Sequence, residues 1–217
     1  MKLFSSPLAC SSAAHMILLE LGLEHEIEFV DIYSQPHILL NDKTAYALIN
    51  PKNAVPALLL DSGEILTEIG IILQYLADLR PGSDLLPAAG TLERYRVMEW
   101  LSFIGSDIHK TIGPLFNPKM PAAGKVIMMQ NLARRLGYVE QCLKNQKYLT
   151  GESFTVADAY LFIMTGWEPY FKFDLRPYPN LKAFQQRIAS RPSFLRLLEQ
   201  VQAAVHAMPL PEFPKQS

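Results

Sequence analysis

The sequence predicts an α/β unit followed by an all-helical one, and three observations carry that prediction. The chain has 217 residues and a mass of 24.5 kDa, more than one small core needs and suited to two modest packed units. The first eighty residues alternate short apolar runs with helix-like stretches, the pattern of a mixed sheet covered by helices, whereas beyond Gly90 strand-like alternation stops. Between them, Arg80 to Gly90 holds Pro81, Gly82, Pro87, Ala88, Ala89 and Gly90, the composition of a connecting segment. The expected division is 1–80, a linker over 81–90, and an all-helical domain over 91–217 ending in an irregular tail.

Each element follows from local pattern. Lys2 to Phe4 reads as a short strand. From Ser11 to Leu21 the apolar positions Ala14, Ile17, Leu18 and Leu21 repeat at helical spacing, and Gly22 stands where a C-terminal cap belongs. Glu26 to Ile32 alternates charged and apolar residues and predicts a strand near a sheet edge. Asn50 to Pro56 is a loop whose two prolines disfavour helix before them. Ala57–Leu60 and Glu64–Leu66 flank Asp61-Ser62-Gly63 and predict a hairpin. Thr67-Glu68 then opens a helix through Leu79, which completes a βαβ unit followed by ββα. Beyond the linker, Thr91–Ile112, Lys125–Leu143, Thr155–Phe171, Leu181–Ser190 and Ser193–Ala207 all carry helical spacing. Pro209, Pro211 and Pro214 predict a terminus that wanders over the surface.

Composition excludes several classes of function. Apolar residues make up 49% and charged residues 19%, which is not the makeup of a disordered chain. Twenty basic against 21 acidic residues give a net charge of −1, without the basic footprint that phosphate neutralisation requires, so neither nucleic acid nor membrane is an expected partner. No apolar stretch approaches the roughly 18 residues of a bilayer span. Lys2 is followed by a break at Pro7 rather than by a signal-peptide core, so the expected location is the cytoplasm. Cys10 and Cys142 are too few for a disulfide framework and lack the companions of a zinc site; no metal is expected.

The candidate chemistry lies mostly in the first unit. Cys10 precedes the first helix, where free N–H groups and the helix dipole favour an anion and would stabilise a thiolate. The alternative is a small packing residue. Ala13 stands where a second cysteine would complete a Cys-x-x-Cys pair, so Cys10 acts as a monothiol. Val55-Pro56 is a place for a cis peptide, which would aim the Val55 backbone at an extended, peptide-like ligand; an ordinary trans loop is the other reading. Glu68, at a helix N-terminus, could compensate the dipole or bind a ligand ammonium while the N–H groups of Ile69 and Gly70 take a carboxylate. In the helical half, Thr155 and Asp158 form a capping-box pair with a folding role. His109, between Asp107 and Lys110, is a surface histidine or a donor to a ligand.

These parts together resemble the cytosolic glutathione transferases, most closely the bacterial beta class. The resemblance spans about residues 1 to 205. It rests on Met1-Lys2-Leu3-Phe4 with Pro7-Leu8-Ala9-Cys10-Ser11, on Asn50-Pro51-Lys52 with Val55-Pro56-Ala57-Leu58, and on Leu66-Thr67-Glu68 with Gln74-Tyr75-Leu76-Ala77-Asp78. In the second half it rests on Glu99-Trp100-Leu101, His109-Lys110 and Phe154-Thr155-Val156-Ala157-Asp158-Ala159-Tyr160. It implies a thioredoxin-like domain joined to a helical bundle, a homodimer, and glutathione as cosubstrate. It also implies that Cys10 meets the glutathione sulfur and can form a mixed disulfide with it, with Ser11 beside it as a glutathione-binding residue. Val55, before a cis Pro56, would pair with the cysteinyl backbone, and Glu68 would hold the γ-glutamyl amine next to Ile69. His109 would reach the site from the helical domain, with Ser106 close by and with Asp107 and Lys110 able to act across the dimer. Phe103, Phe116, Trp167 and Tyr170 are the candidate walls of an electrophile pocket.

Three departures from the resemblance matter. Ser5 stands where beta-class chains commonly have Tyr, Ile69 where relatives often have a small polar residue or Gly, and Gln35-Pro36-His37 where relatives place a lysine; Lys52 is the substitute for that charge. The expected activity is conjugation of glutathione to small hydrophobic electrophiles, thiol exchange with disulfides through Cys10, or both. The competing reading is a non-catalytic protein of the same fold that binds a macromolecular partner or hydrophobic ligand. An isomerase of the zeta type is disfavoured, because Leu8-Ala9-Cys10-Ser11-Ser12 runs on into Ala13-Ala14-His15 without the Ser-Ser-Cys segment and its following Arg.

Overall fold

The computed structural model describes residues 1–171 and 173–208. In chain order its elements are β1 (Lys2–Ser5), α1 (Ser12–Glu20), β2 (Glu26–Asp31), β3 (Ile38–Leu39), β4 (Ala57–Leu59), β5 (Ile65–Thr67) and α2 (Ile69–Asp78). There follow α3 (Leu92–Phe103), α4 (Lys110–Ile112), α5 (Ala122–Cys142), α6 (Val156–Thr165), α7 (Glu168–Phe171), α8 (Pro179–Ala189) and α9 (Pro192–Ala207). They form two compact units, Met1–Leu79 with the chain from Arg191 onward, and Arg80–Ser190.

The first unit is built on a sheet of order β3-β2-β1-β4-β5. β1 runs parallel to β2 and antiparallel to β4, so Leu3 faces Ile27 on one side and Leu58 on the other. A central strand has both faces covered, and Leu3 and Phe4 are accordingly both buried. One face gathers Phe4, Val30, Leu39, Tyr46 and Ala57; Leu3 and Leu58 point to the other by strand alternation. The β4–β5 hairpin forms as expected, with Gly63 at φ +87 in its turn. The edge strand β3 has only two residues, too few for alternation to show in sequence.

α1 is buried from Ser12 to Leu19. It ends at Gly22, φ +59, where the Leu23 and Gly22 N–H groups close on the carbonyls of Leu18 and Leu19, so the expected glycine cap is present. A helix this apolar needs cover on more than one side, and α9 supplies it together with α2. Arg191 and Ser193 donate to Glu20, Arg196 Nη2 donates to the Leu19 carbonyl at 3.1 Å, and Gln200 Oε1 lies 2.6 Å from His15 Nε2. The final helix, expected with the helical domain over 91–217, therefore groups with the first unit. The tail beginning at Pro209 lies outside the described residues.

The second unit is helical. The long helix expected over Thr91–Ile112 starts where the Thr91 hydroxyl accepts from Arg94 N, but it widens to a π-helical stretch over Ile104–His109 before α4. Thr155–Phe171 likewise divides into α6 and α7. All ten residues of α6 are buried, and it packs against α3 and α8. Its start is pinned by Asp158, 0% exposed, whose carboxylate accepts from Leu149 N, Thr155 N and Thr155 Oγ1 at 2.7–2.8 Å. Burial pushes the Asp158 carboxyl up to about 6 despite those bonds. Among the described residues, no helix is long and apolar enough to cross a membrane.

Candidate active site

Cys10 lies in the turn between β1 and α1, buried, with Sγ donating to the Val55 carbonyl at 3.2 Å. The loop that delivers it passes through Leu8 at φ +59. Beneath it the Ser5 hydroxyl donates to Ser11 Oγ at 3.0 Å, and Ser11 Oγ also accepts from Ser6 N at 3.0 Å. Ser5 thus serves the loop's internal bonding, and the buried Ser11 side chain is used up within it. Ser11 meets the sulfur instead through its backbone N–H, which lowers the thiol pKa as a helix terminus should. Burial outweighs that contribution and pushes the Cys10 thiol from 9.0 up to about 12. The expected stabilisation by the helix terminus is present but is the smaller effect, and burial favours the protonated thiol.

The Val55-Pro56 bond is cis, as is Gln35-Pro36. Three side chains hold the loop that carries Val55. Tyr46 Oη and Asn50 Nδ2 both donate to the Ala54 carbonyl, at 3.1 and 2.6 Å, and Asn50 Oδ1 accepts from Lys52 N at 3.1 Å. His37 Nδ1 lies 3.1 Å from the Asn53 carbonyl, so the Gln35-Pro36-His37 segment braces this loop. Sequence reasoning quoted Asn50 without a role and did not single out Tyr46; an Asn before a proline-rich loop was the available signal.

Glu68 is the N-cap of α2 at φ 74, ψ 117, a strained backbone for a residue with a Cβ. Its carbonyl accepts from the N–H groups of Ile71 and Ile72, which leaves those of Ile69 and Gly70 ahead of the helical ladder. Its carboxylate is paired with Lys52, both side chains more than half exposed. Glu68 is close enough to Cys10 for its charge to raise the thiol pKa further. Of five non-glycine residues at positive φ among the described residues, Leu8 and Asn53 precede Cys10 and Val55 and the third is Glu68 itself, the clustering of strain that functional sites show.

In the second unit, His109 ends the π-helical stretch, with Nδ1 2.7 Å from Tyr160 Oη. Burial and the Lys110 charge push its pKa down to about 4. Its ring stands edge-on to Trp167, which stands edge-on to Phe116, and Tyr170 lies 6.5 Å from Phe116. Phe103 packs elsewhere, on Trp100 and Tyr138, and with them and Glu99 borders a groove of about 300 Å³. Ser106 donates to Asp107 at 2.8 Å, Asp107 pairs with Arg135 at 3.2 Å, and Lys110 is exposed.

Comparison with known proteins decides the family. Residues 9–79 match the glutathione S-transferase N-terminal domain and 106–192 the glutathione S-transferase C-terminal domain. Glutathione S-transferase GstA of Escherichia coli O157:H7 is 41% identical over 192 residues, covering 88% of this chain and 94% of that protein. The chain belongs to the glutathione S-transferase family. Among solved structures, a ternary complex of BphK, a bacterial glutathione S-transferase, superposes with a TM-score of 0.88 at 43% identity, over 92% of this chain and 98% of that one. A bacterial beta-class enzyme of Sphingomonas chungbukensis gives 0.87 at 42% identity, and a sphingomonad enzyme complexed with glutathione 0.87 at 40%, each covering 92% of this chain and 98% of the other.

The glutathione S-transferase assignment bears out the resemblance to the beta class and the expected fold, a thioredoxin-like domain with a mixed sheet and a helical domain. It makes the protein a transferase that binds glutathione. In this glutathione S-transferase the first unit brings Cys10, Val55, Pro56, Lys52, Glu68 and Ile69 into one neighbourhood. The second gathers His109 with Phe116, Trp167 and Tyr170 and sets Phe103 apart.

Proposed function

We propose that this enzyme conjugates glutathione to small hydrophobic electrophiles, with Cys10 acting as a neutral thiol that donates to the glutathione sulfur. The single observation behind this reading is the buried Cys10 thiol donating to the Val55 carbonyl, in surroundings that push its pKa up. A protonated thiol donates a hydrogen bond; it does not attack. In the conjugation step the glutathione thiol gives its proton to water, the Cys10 S–H offsets the charge left on that sulfur, the thiolate forms the new C–S bond, and the leaving group departs with its electron pair. The cysteinyl backbone of glutathione would pair with Val55 as an added strand. Glu68 would take the γ-glutamyl ammonium, and the N–H groups of Ile69 and Gly70 the adjoining carboxylate. Binding of the ammonium would release Lys52 from Glu68 towards the glycyl carboxylate.

Supporting roles follow from the same reading: His109 would meet the sulfur or the electrophile with Ser106 close by, Phe116, Trp167 and Tyr170 would supply apolar wall, and Asp107 and Lys110 would act across the dimer. The working enzyme is a cytoplasmic homodimer. Thiol exchange is a second reading, favoured by the nearness of Sγ to the backbone that would hold the glutathione cysteine. In it, ionised Cys10 displaces one glutathione thiolate from oxidised glutathione, its proton passing to water, and leaves a mixed disulfide.

Incubation with oxidised glutathione, intact-mass measurement and peptide mapping, alongside Cys10→Ser, separate the two. The expected result is slow or no adduct on Cys10, with steady conjugation of an aromatic chloride electrophile. Rapid formation of a Cys10 adduct that dithiothreitol removes would move the assignment to thiol exchange. Absence of glutathione binding by calorimetry would refute both.

A further inference from the structure

Tyr160 carries a polar contact that the proposed chemistry leaves unused. It stands midway along α6 and is 2% exposed. Its hydroxyl lies 2.7 Å from His109 Nδ1, with the two rings edge to face at 5.9 Å and 88°. Trp167 holds a second side of the imidazole, at 5.6 Å and 67°. The histidine comes from a π-helical stretch, a local widening often found where a side chain must be re-aimed. Its two braces come from the core side of the same unit, where α6 is buried throughout and pinned by Asp158.

We propose that Tyr160 is a positioning residue for His109: its O–H donates to Nδ1, so the neutral imidazole keeps its proton on Nε2 and offers an N–H donor rather than a base. The separation fits an O–H donor. A phenol is a stronger acid than the N–H of a neutral imidazole, so O–H to N is the favoured polarity of the pair. Occupying one ring nitrogen with an incoming proton decides what the other carries. Among the described residues, His109 Nε2 makes no hydrogen bond, which leaves it for a ligand. The low pKa of the ring keeps it uncharged at neutral pH. A neutral imidazole donor and a neutral Cys10 donor would serve the same end, lowering the cost of a thiolate on glutathione. That catalytic consequence rests on the reading of His109 as a site residue; the proton assignment does not.

The test is nitrogen-15 NMR of the histidine rings in the full chain, for the wild type and Tyr160→Phe, with conjugation kinetics on the same samples. The wild type should show His109 protonated at Nε2 and bare at Nδ1. Tyr160→Phe should move the pair of shifts towards a tautomer mixture and lower kcat about fivefold to tenfold, the worth of one neutral hydrogen bond, with KM for glutathione unchanged. A proton on Nδ1 in the wild type overturns the proposal even if the variant fails to fold, and so does a variant whose shifts match the wild type. A His109→Ala enzyme of full turnover would overturn only the placement of His109 in the site, with the proton assignment intact.

Discussion

Alkylation of Cys10 followed against pH distinguishes a buried donor thiol from an activated thiolate, and the structure sets the size of the difference. Burial moves the thiol from 9.0 to about 12, so near pH 7.5 the thiolate fraction falls about a thousandfold below that of the same thiol free in water. In a Cys142→Ser background, iodoacetamide should modify Cys10 of the folded chain at least about a thousandfold more slowly than the urea-unfolded chain, since burial also limits access. The rate should keep rising beyond pH 9 without a plateau. The same shift has a stability counterpart with a fixed sign. Between 9.0 and about 12 the unfolded chain has lost a proton that the folded chain retains, so stability falls as pH rises through that window, by up to about 4 kcal/mol at its upper end. Cys10→Ala should abolish that fraction of the alkaline loss. An alkylation profile that levels off below pH 8 would refute the argument, because it would mean that the helix terminus outweighs burial after all.

Three other outcomes are expected. Asp158→Ala strands three buried donors, Leu149 N, Thr155 N and Thr155 Oγ1, and should cost about 3 kcal/mol or more, read as a Tm lower by about 6–12 °C; a shift under 2 °C would show that the carboxylate does not hold the start of α6. His15 and His109 are both held at about 4, so protonation of the unfolded chain draws stability down as pH falls from 6.5 towards 4, by up to about 3 kcal/mol each. Asp158, raised to about 6, acts in the opposite sense in the same window, so the check is the difference in acid unfolding between wild type and His15→Gln; equal profiles would refute it. Glu68→Gln should weaken glutathione binding about tenfold to a hundredfold by calorimetry, the worth of a charged hydrogen bond. Its effect on Tm should be small, because the exposed Lys52 pair contributes little; unchanged affinity would remove Glu68 from the ammonium site.

Much of the first unit could be read from order along the chain. The hairpin around Gly63, the cap at Gly22 and the parallel pairing of β1 with β2 follow from turn residues and apolar spacing, which act over a few residues. The Thr155–Asp158 pair was legible for the same reason. β3 was not, because a two-residue strand exists only by virtue of the neighbour it pairs with. The break of the first long helix at Ile104–His109 and the interruption before Glu168 leave helical spacing almost unchanged, so periodicity passes over them. Ser5 shows the other kind of gap: sequence comparison marked it as a missing tyrosine, whereas the structure gives it a partner in Ser11.

The sequence by itself determined the family, the sheet-then-helix order and the identity of the residues at issue, because motifs and periodic patterns are carried by near neighbours. What only the tertiary structure decided was their chemical state. Cys10 stands where a helix terminus should ionise it, yet packing around the sulfur removes the water a thiolate needs, and desolvation is the larger effect. In the sequence His109 is either a surface histidine or a ligand donor between two charges, and only the fold shows that α6 meets it with a tyrosine hydroxyl 51 residues away in the chain. The last helix carried no sign of its partner, which is α1, because an amphipathic pattern specifies that a face must be covered and leaves the covering element to the fold.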